Sequence, residues 1–157
     1  NLPLYFAAFH TVHDSMEKRG KRGYLFTVGD EEAPQPLTAD QIKRVCGDDV
    51  QAQMSTKDLL EMAQRSYDVY HVIIEEGSHA RTHMDKVVSS WTELLGQRVI
   101  RLADHKRLAE TIVSAIQVAE GASAADASKG WGAHAGVVHD AVRNLPASRK
   151  PKLLGAA

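Results

Sequence analysis

One stretch constrains the fold more than any other. Asp68-Val69-Tyr70-His71-Val72-Ile73-Ile74-Glu75 is apolar at both alternating positions. Successive side chains of a strand point to opposite faces, so a run that is apolar at both parities must be covered on both sides. This is the environment of a strand inside a parallel sheet with helices above and below. Two further runs read as strands: Gly23 to Val28, aromatic and β-branched between glycines, and the shorter Arg98 to Leu102.

The segments between them carry helical signals. Ala33-Pro34-Gln35-Pro36 is a loop, because its prolines lack donors. Thr38 with Gln41, and Ser55 with Asp58, have capping-box spacing. The first box opens a short helix with Ile42, Val45 and Cys46 on one face, stopped by Gly47; the second opens one carrying Leu59, Leu60 and Ala63 to about Ser66. Met84, Val87, Val88, Trp91, Leu94 and Leu95 form a longer stripe closed by Gly96. Asp104 caps a helix with an expected inward face of Leu108, Ile112, Ala115, Ile116 and Ala119, ending at Gly121.

This order predicts an α/β fold: a three-layer, Rossmann-like open sheet, mostly parallel, with helices on both faces. Tyr5, Ala8, Phe9, Val12 and Met16 predict one opening helix that stops near Arg19. So aromatic a helix needs a surface to pack on, and no leader-like segment precedes it, so part of the domain is expected upstream of Asn1. Residues 1–121 are read as the α/β domain. Residues 122–157 are read as a flexible Ala/Ser/Gly-rich connection, a short helix through Val137, Val138, Ala141, Val142 and Leu145, and a basic tail with Arg143, Arg149, Lys150 and Lys152.

Composition narrows the function classes. With 157 residues, 43% apolar and 25% charged, the chain suits one folded domain. A net charge of -1 gives no basic field for nucleic acid or an anionic membrane. No apolar run reaches the ~18 residues of a membrane helix. Cys46 is the single cysteine, which excludes an internal disulfide framework and favours a reducing compartment, so a cytoplasmic protein is expected.

Each strand hands over to acids: Asp30 and Glu31, then Glu75 and Glu76, then Asp104. In an open parallel sheet these carboxyl ends share one edge, where ligands bind. Hard oxygens there suit Mg²⁺, which keeps several waters and takes one or two carboxylates. The structural alternative makes Asp104 a helix cap and leaves Glu75 and Glu76 solvated.

From its opening helix through Gly121 the chain resembles the carboxyl half of a von Willebrand factor A-type (vWA-like) domain. The residues that carry the resemblance are Tyr5-Phe6-Ala7-Ala8-Phe9 and the strand and turn Tyr24-Leu25-Phe26-Thr27-Val28-Gly29-Asp30-Glu31, followed by two helix-strand units and a helix. The family's Thr-Asp-Gly-like turn places an Asp in a metal-ion-dependent adhesion site, and Asp30 is the matching position. Here the order is Val-Gly-Asp, and the family's Asp-x-Ser-x-Ser motif is absent, so the other ligands are expected upstream. The resemblance implies a non-enzymatic protein-interaction domain in which Asp30 helps hold Mg²⁺ and a partner's carboxylate completes the site. A sheet lacking its first strands also exposes the Gly23 to Val28 edge, which implies either the missing amino-terminal half or a homo-oligomer.

Two other classes compete. A Mg²⁺-dependent phosphohydrolase of the haloacid dehalogenase type also has a strand ending in Gly-Asp, but its nucleophilic Asp-x-Asp is absent and Pro34 stands where its downstream Asp belongs. A metal-independent structural or assembly module would use the sheet edge and the basic tail. His79 and His83 have the spacing of two zinc ligands on one helical face, without a third. His10, His13 and Asp14, and His134 with His139, are weaker groupings. His71 reads as a core histidine with a hydrogen-bond partner, Cys46 as a structural thiol, and Gly130-Trp131-Gly132 as a turn with an exposed aromatic.

Overall fold

The computed structural model describes residues 1–146. Arg149, Lys150 and Lys152 of the expected basic tail lie outside the described residues. Three parallel strands, β1 (Gly23–Gly29), β2 (Tyr67–Ile74) and β3 (Val99–Leu102), form one sheet in the order β1-β2-β3. Gly23 pairs with Tyr67 at one end of the β1–β2 ladder and Gly29 with Ile73 at the other; β3 pairs with His71 to Ile74. The strand inferred from its doubly apolar run is therefore central, and Val69 to Ile73 are all buried.

Alternation along β2 divides the core into two layers. Val69 and Ile73 face a cluster with Leu4, Tyr5, Ile42, Leu59, Leu60, Val87 and Trp91. These come from α1 (Leu2–Phe9), α3 (Ala39–Cys46), α4 (Thr56–Ala63) and α5 (Ser78–Leu95). Tyr70 and Val72 face the other way, against Ile100, Leu102, Ala115, Val118, Ala127, Ala141 and Val142. This second layer is built from α6 (Leu108–Ala119), α7 (Ala124–Ser128) and α8 (Ala135–Val142). The molecule is thus a Rossmann-like open α/β sheet with helices on both faces. Each fully buried Ile, Leu or Val contributes roughly 1.5–3 kcal/mol from leaving water.

Local chemistry explains the elements. Both capping boxes form: the Thr38 hydroxyl accepts from the Gln41 N–H, and the Ser55 hydroxyl from the Asp58 N–H. Gly47 ends α3 at φ 82°, a left-handed value that costs a residue with a Cβ dearly.

Four expectations are corrected. The opening segment is two helices, α1 and α2 (Asp14–Arg19). Thr11 turns its hydroxyl back onto the Ala7 carbonyl (2.7 Å), and His13 caps α2 by accepting from the Met16 N–H. The stripe is therefore broken, and Phe9, Val12 and Met16 are exposed. On α6 the buried stripe is Thr111, Ser114, Ala115 and Val118, one residue round from the expected one. Small Ser114 lets α7 approach, donates to the Ala127 carbonyl (2.9 Å) and accepts from Trp131 Nε1 (2.8 Å). Finally, the Ala/Ser/Gly-rich stretch after Gly121 is ordered as α7, capped by Ser123, and with α8 it closes the second core. Trp131, expected as an exposed turn aromatic, is half-buried and anchored to Ser114.

Candidate functional site

The carboxyl ends of the strands lie along one edge, but their acids do not gather into one site: Glu76 and Asp104 come together, and Asp30 is not part of that group. The chain leaves β1 and β2 toward the layer that holds α3, α4 and α5, whereas it leaves β3 toward the layer that holds α6. Two separate groups result.

The first surrounds Asp30. Its Oδ2 accepts from the His79 N–H at the start of α5 (3.1 Å). The N-cap of α5 is Gly77, which has no side chain for the task, so Asp30 caps the helix from across the sheet edge and complements its dipole. A Cβ at Gly77 would overlap the Asp30 side chain, so this approach requires glycine. His79 Nε2 bonds Glu32 Oε2 (2.6 Å), and its ring stacks on His83 (4.5 Å), where α5 leaves helical geometry. A backbone N–H first, then His79, hold Glu32 below the usual carboxylate range. His79 and His83 thus lie together as their spacing implied, but among the described residues they do not form a three-ligand group with Glu32.

The second group is Glu76, Asp104 and His105, whose ligand atoms all lie within 4.8 Å of one another. Every member is already engaged. Glu76 Oε2 accepts from the His105 N–H (2.8 Å) and bonds His105 Nδ1 (2.6 Å), and these bonds hold its carboxyl below the usual range. Asp104 accepts from the Lys106 N–H (2.9 Å) and so caps the short 3-10 turn His105–Arg107 that leads into α6, rather than α6 itself, whose N-cap is Arg107. Glu75, expected to be solvated, pairs with Arg101 (2.6 Å).

A cavity of about 320 Å³ opens beside Asp30 at the end of β1. Its floor is His71, only 3% exposed and stacked on Trp91 at 3.7 Å. Trp91 in turn donates to the Glu31 carbonyl (2.9 Å), which fixes the loop after β1. His71 Nδ1 lies 2.8 Å from Thr27 Oγ1, and that hydroxyl also reaches the Tyr70 carbonyl (3.3 Å). If the Thr27 proton serves the carbonyl, Nδ1 carries the imidazole proton and Nε2 holds a bare lone pair. Nε2 has no hydrogen-bond partner. Burial pushes the His71 pKa down to about 4, so the ring is neutral at pH 7.

No family model, curated protein or solved structure matches this chain. Geometry carries the functional argument alone. The sequence singled out Asp30, and the structure places it on the cavity wall; it gave His71 a structural role, and the Thr27 bond bears out the expected partner. What it missed is the second ring nitrogen. A histidine inside an apolar strand was the available signal, but its meaning depends on Thr27 lying opposite it in the β1–β2 register. The remaining groupings are structural: His10 bonds Asp48 (2.6 Å), His13 caps α2, and Cys46 is a free, half-buried thiol.

Proposed function

We propose that this chain is a non-enzymatic protein-interaction domain, in the manner of the carboxyl half of a vWA-like sheet, and that it joins a protein partner through the free edge of β1. The observation that supports this is the undefended character of that edge. Among the described residues β1 is hydrogen-bonded on its β2 side only, and its sequence Gly-Tyr-Leu-Phe-Thr-Val-Gly contains no charge and no proline. Edge strands that must stay single carry such features. Val28 on β1, Phe6 and Phe9 on α1 and Val45 on α3 are exposed as well. The occupant that fits is an extended segment that adds a strand, from an upstream half or a second copy of the chain.

The donors present do not fit Mg²⁺ by themselves. Asp30 has one oxygen on the His79 N–H, Glu32 is taken by His79, and the Glu31 carbonyl is taken by Trp91, so the one or two free carboxylates that Mg²⁺ takes beside its waters are not assembled by this chain. The edge interaction needs no ion. A cation-dependent form would draw its other oxygens from the partner; assembly that requires Mg²⁺ and is lost in Asp30→Ala would establish it.

Sedimentation velocity over a concentration series tests the edge. The proposal expects association that Val28→Lys abolishes while the melting curve stays in place. A monomer at every concentration that also ignores any added upstream segment would sink it.

A further inference from the structure

We propose that the cavity at the end of β1 binds a guanidinium group. Its lining carries groups that can accept: the Asp30 and Glu32 carboxylates, the Thr27 hydroxyl and, with the imidazole proton on Nδ1, the His71 ring. His71 Nε2 is buried without a partner, and so is Asn1 Oδ1. The Asn1 amide orientation is set independently, because its Nδ2 donates to the Gln35 carbonyl (2.6 Å) and to Thr56 Oγ1 (2.9 Å). Asp30 adds a carboxylate to the same wall; no Lys or Arg side chain lines the cavity, and burial lowers the pKa of the α-amino group of Asn1, which favours its neutral form.

A buried acceptor left without a donor costs roughly 1–3 kcal/mol, so two of them on one cavity are an expense that a donor-bearing ligand removes. The negative wall selects a cation. A guanidinium suits it better than an ammonium for two reasons. It presents five N–H donors in a fixed plane, which can serve separated acceptors at once. It is also more weakly hydrated, which favours entry into a cavity otherwise lined by Pro3, Leu4, Val28 and Pro34. The volume lies at the lower end of the range of small-ligand sites, enough for a guanidinium and its alkyl stem. The neutral state of His71 preserves the lone pair that the assignment needs.

The same group can arrive on a free small molecule or on an arginine of a protein partner. This inference does not rest on the edge interaction, since a free guanidine needs no second chain. Isothermal titration of the full chain in EDTA with agmatine represents the first source, and with acetyl-Gly-Arg-Gly-amide the second. Saturable binding of either probe is expected, weakened about tenfold or more in Asp30→Asn and in His71→Phe, as loss of a charge-assisted bond or its neutral companion entails. Asp30→Asn keeps an acceptor for the His79 N–H, and His71→Phe keeps the stack on Trp91. A thermal melt confirms that both variants fold. Binding of agmatine alone assigns the free ligand; binding of the peptide assigns the partner's arginine. Absence of binding by both probes, equal binding by uncharged N-butylurea, or unchanged affinity in both folded variants would overturn the proposal.

Discussion

The two acidic groups at the strand ends look alike in composition and differ in what they leave unsatisfied. Around Glu76, Asp104 and His105 the acceptors are tied to donors of the chain, Glu76 to His105 and Asp104 to the Lys106 N–H, and the buried atom left without a hydrogen-bond partner is a donor, Arg107 Nε, 3.5 Å from Asp104 Oδ2. Around Asp30 the carboxylate is likewise engaged, but residues of the neighbouring cavity keep two buried polar atoms without a partner, His71 Nε2 and Asn1 Oδ1. Carboxylates that converge are therefore weaker evidence of a ligand than a buried atom with nothing to bond. The Glu76 group joins the β2 and β3 loops where they diverge; the residues of the cavity at β1 keep polar atoms that the chain itself does not satisfy.

The largest effect that would sharpen this contrast is expected at Gly77. Gly77→Ala forces Asp30 away from the start of α5, and overpacking of this kind costs about 1–3 kcal/mol. Urea unfolding should show that loss together with loss of guanidinium binding. Unchanged stability would mean that Asp30 is not held where the cavity needs it.

Acidification comes next. The folded pKa of His71 lies below its unfolded value of 6.5, at about 4, so the unfolded chain binds the extra proton. The contribution is fully present above pH 6.5 and is lost as pH falls toward 4. Between pH 7 and 5 the wild-type chain should lose roughly 2 kcal/mol from this residue, at ~1.4 kcal/mol per unit. In His71→Phe the urea midpoint should be correspondingly flatter over the same range. Equal slopes in the two proteins would remove the buried neutral imidazole from the account.

A smaller change is expected from Asp30→Asn, which keeps the cap but loses its charge at the helix start. About 0.3–1 kcal/mol should disappear at low ionic strength, less in high salt. The smallest belongs to the other group. His105→Ala removes a solvent-exposed partner of Glu76, and such surface pairs contribute little. It should leave both the unfolding midpoint and guanidinium binding nearly where they were; a loss of binding would break the distinction between the two groups.

How much of this was legible in the sequence follows from the range over which each signal acts. The central strand, both capping boxes and the Gly47 and Gly96 helix ends depend on residues within a turn or a pleat of one another, and they stand where periodicity put them. The face of α6 did not, because Ser114 is buried by bonds to Ala127 and Trp131, and hydrophobic spacing carries no record of such partners. The break between α1 and α2 turns on Thr11 and His13 side chains competing for backbone groups, which an apolar stripe conceals. Asp30 was visible as a strand-end acid, but its cap on α5 joins residues 49 positions apart. The cavity was not visible at all, since it exists only where β1 register, α1 and the loop after β1 meet.

The central claim concerns one nitrogen, and it can be observed directly. Long-range ¹H–¹⁵N correlation of the His71 imidazole at pH 7 should show a neutral ring protonated on Nδ1, with a bare Nε2 whose resonance moves when agmatine is added. A ring protonated on Nε2, or charged at pH 7, would contradict the account, because the cavity would then present a donor where a cationic ligand needs an acceptor.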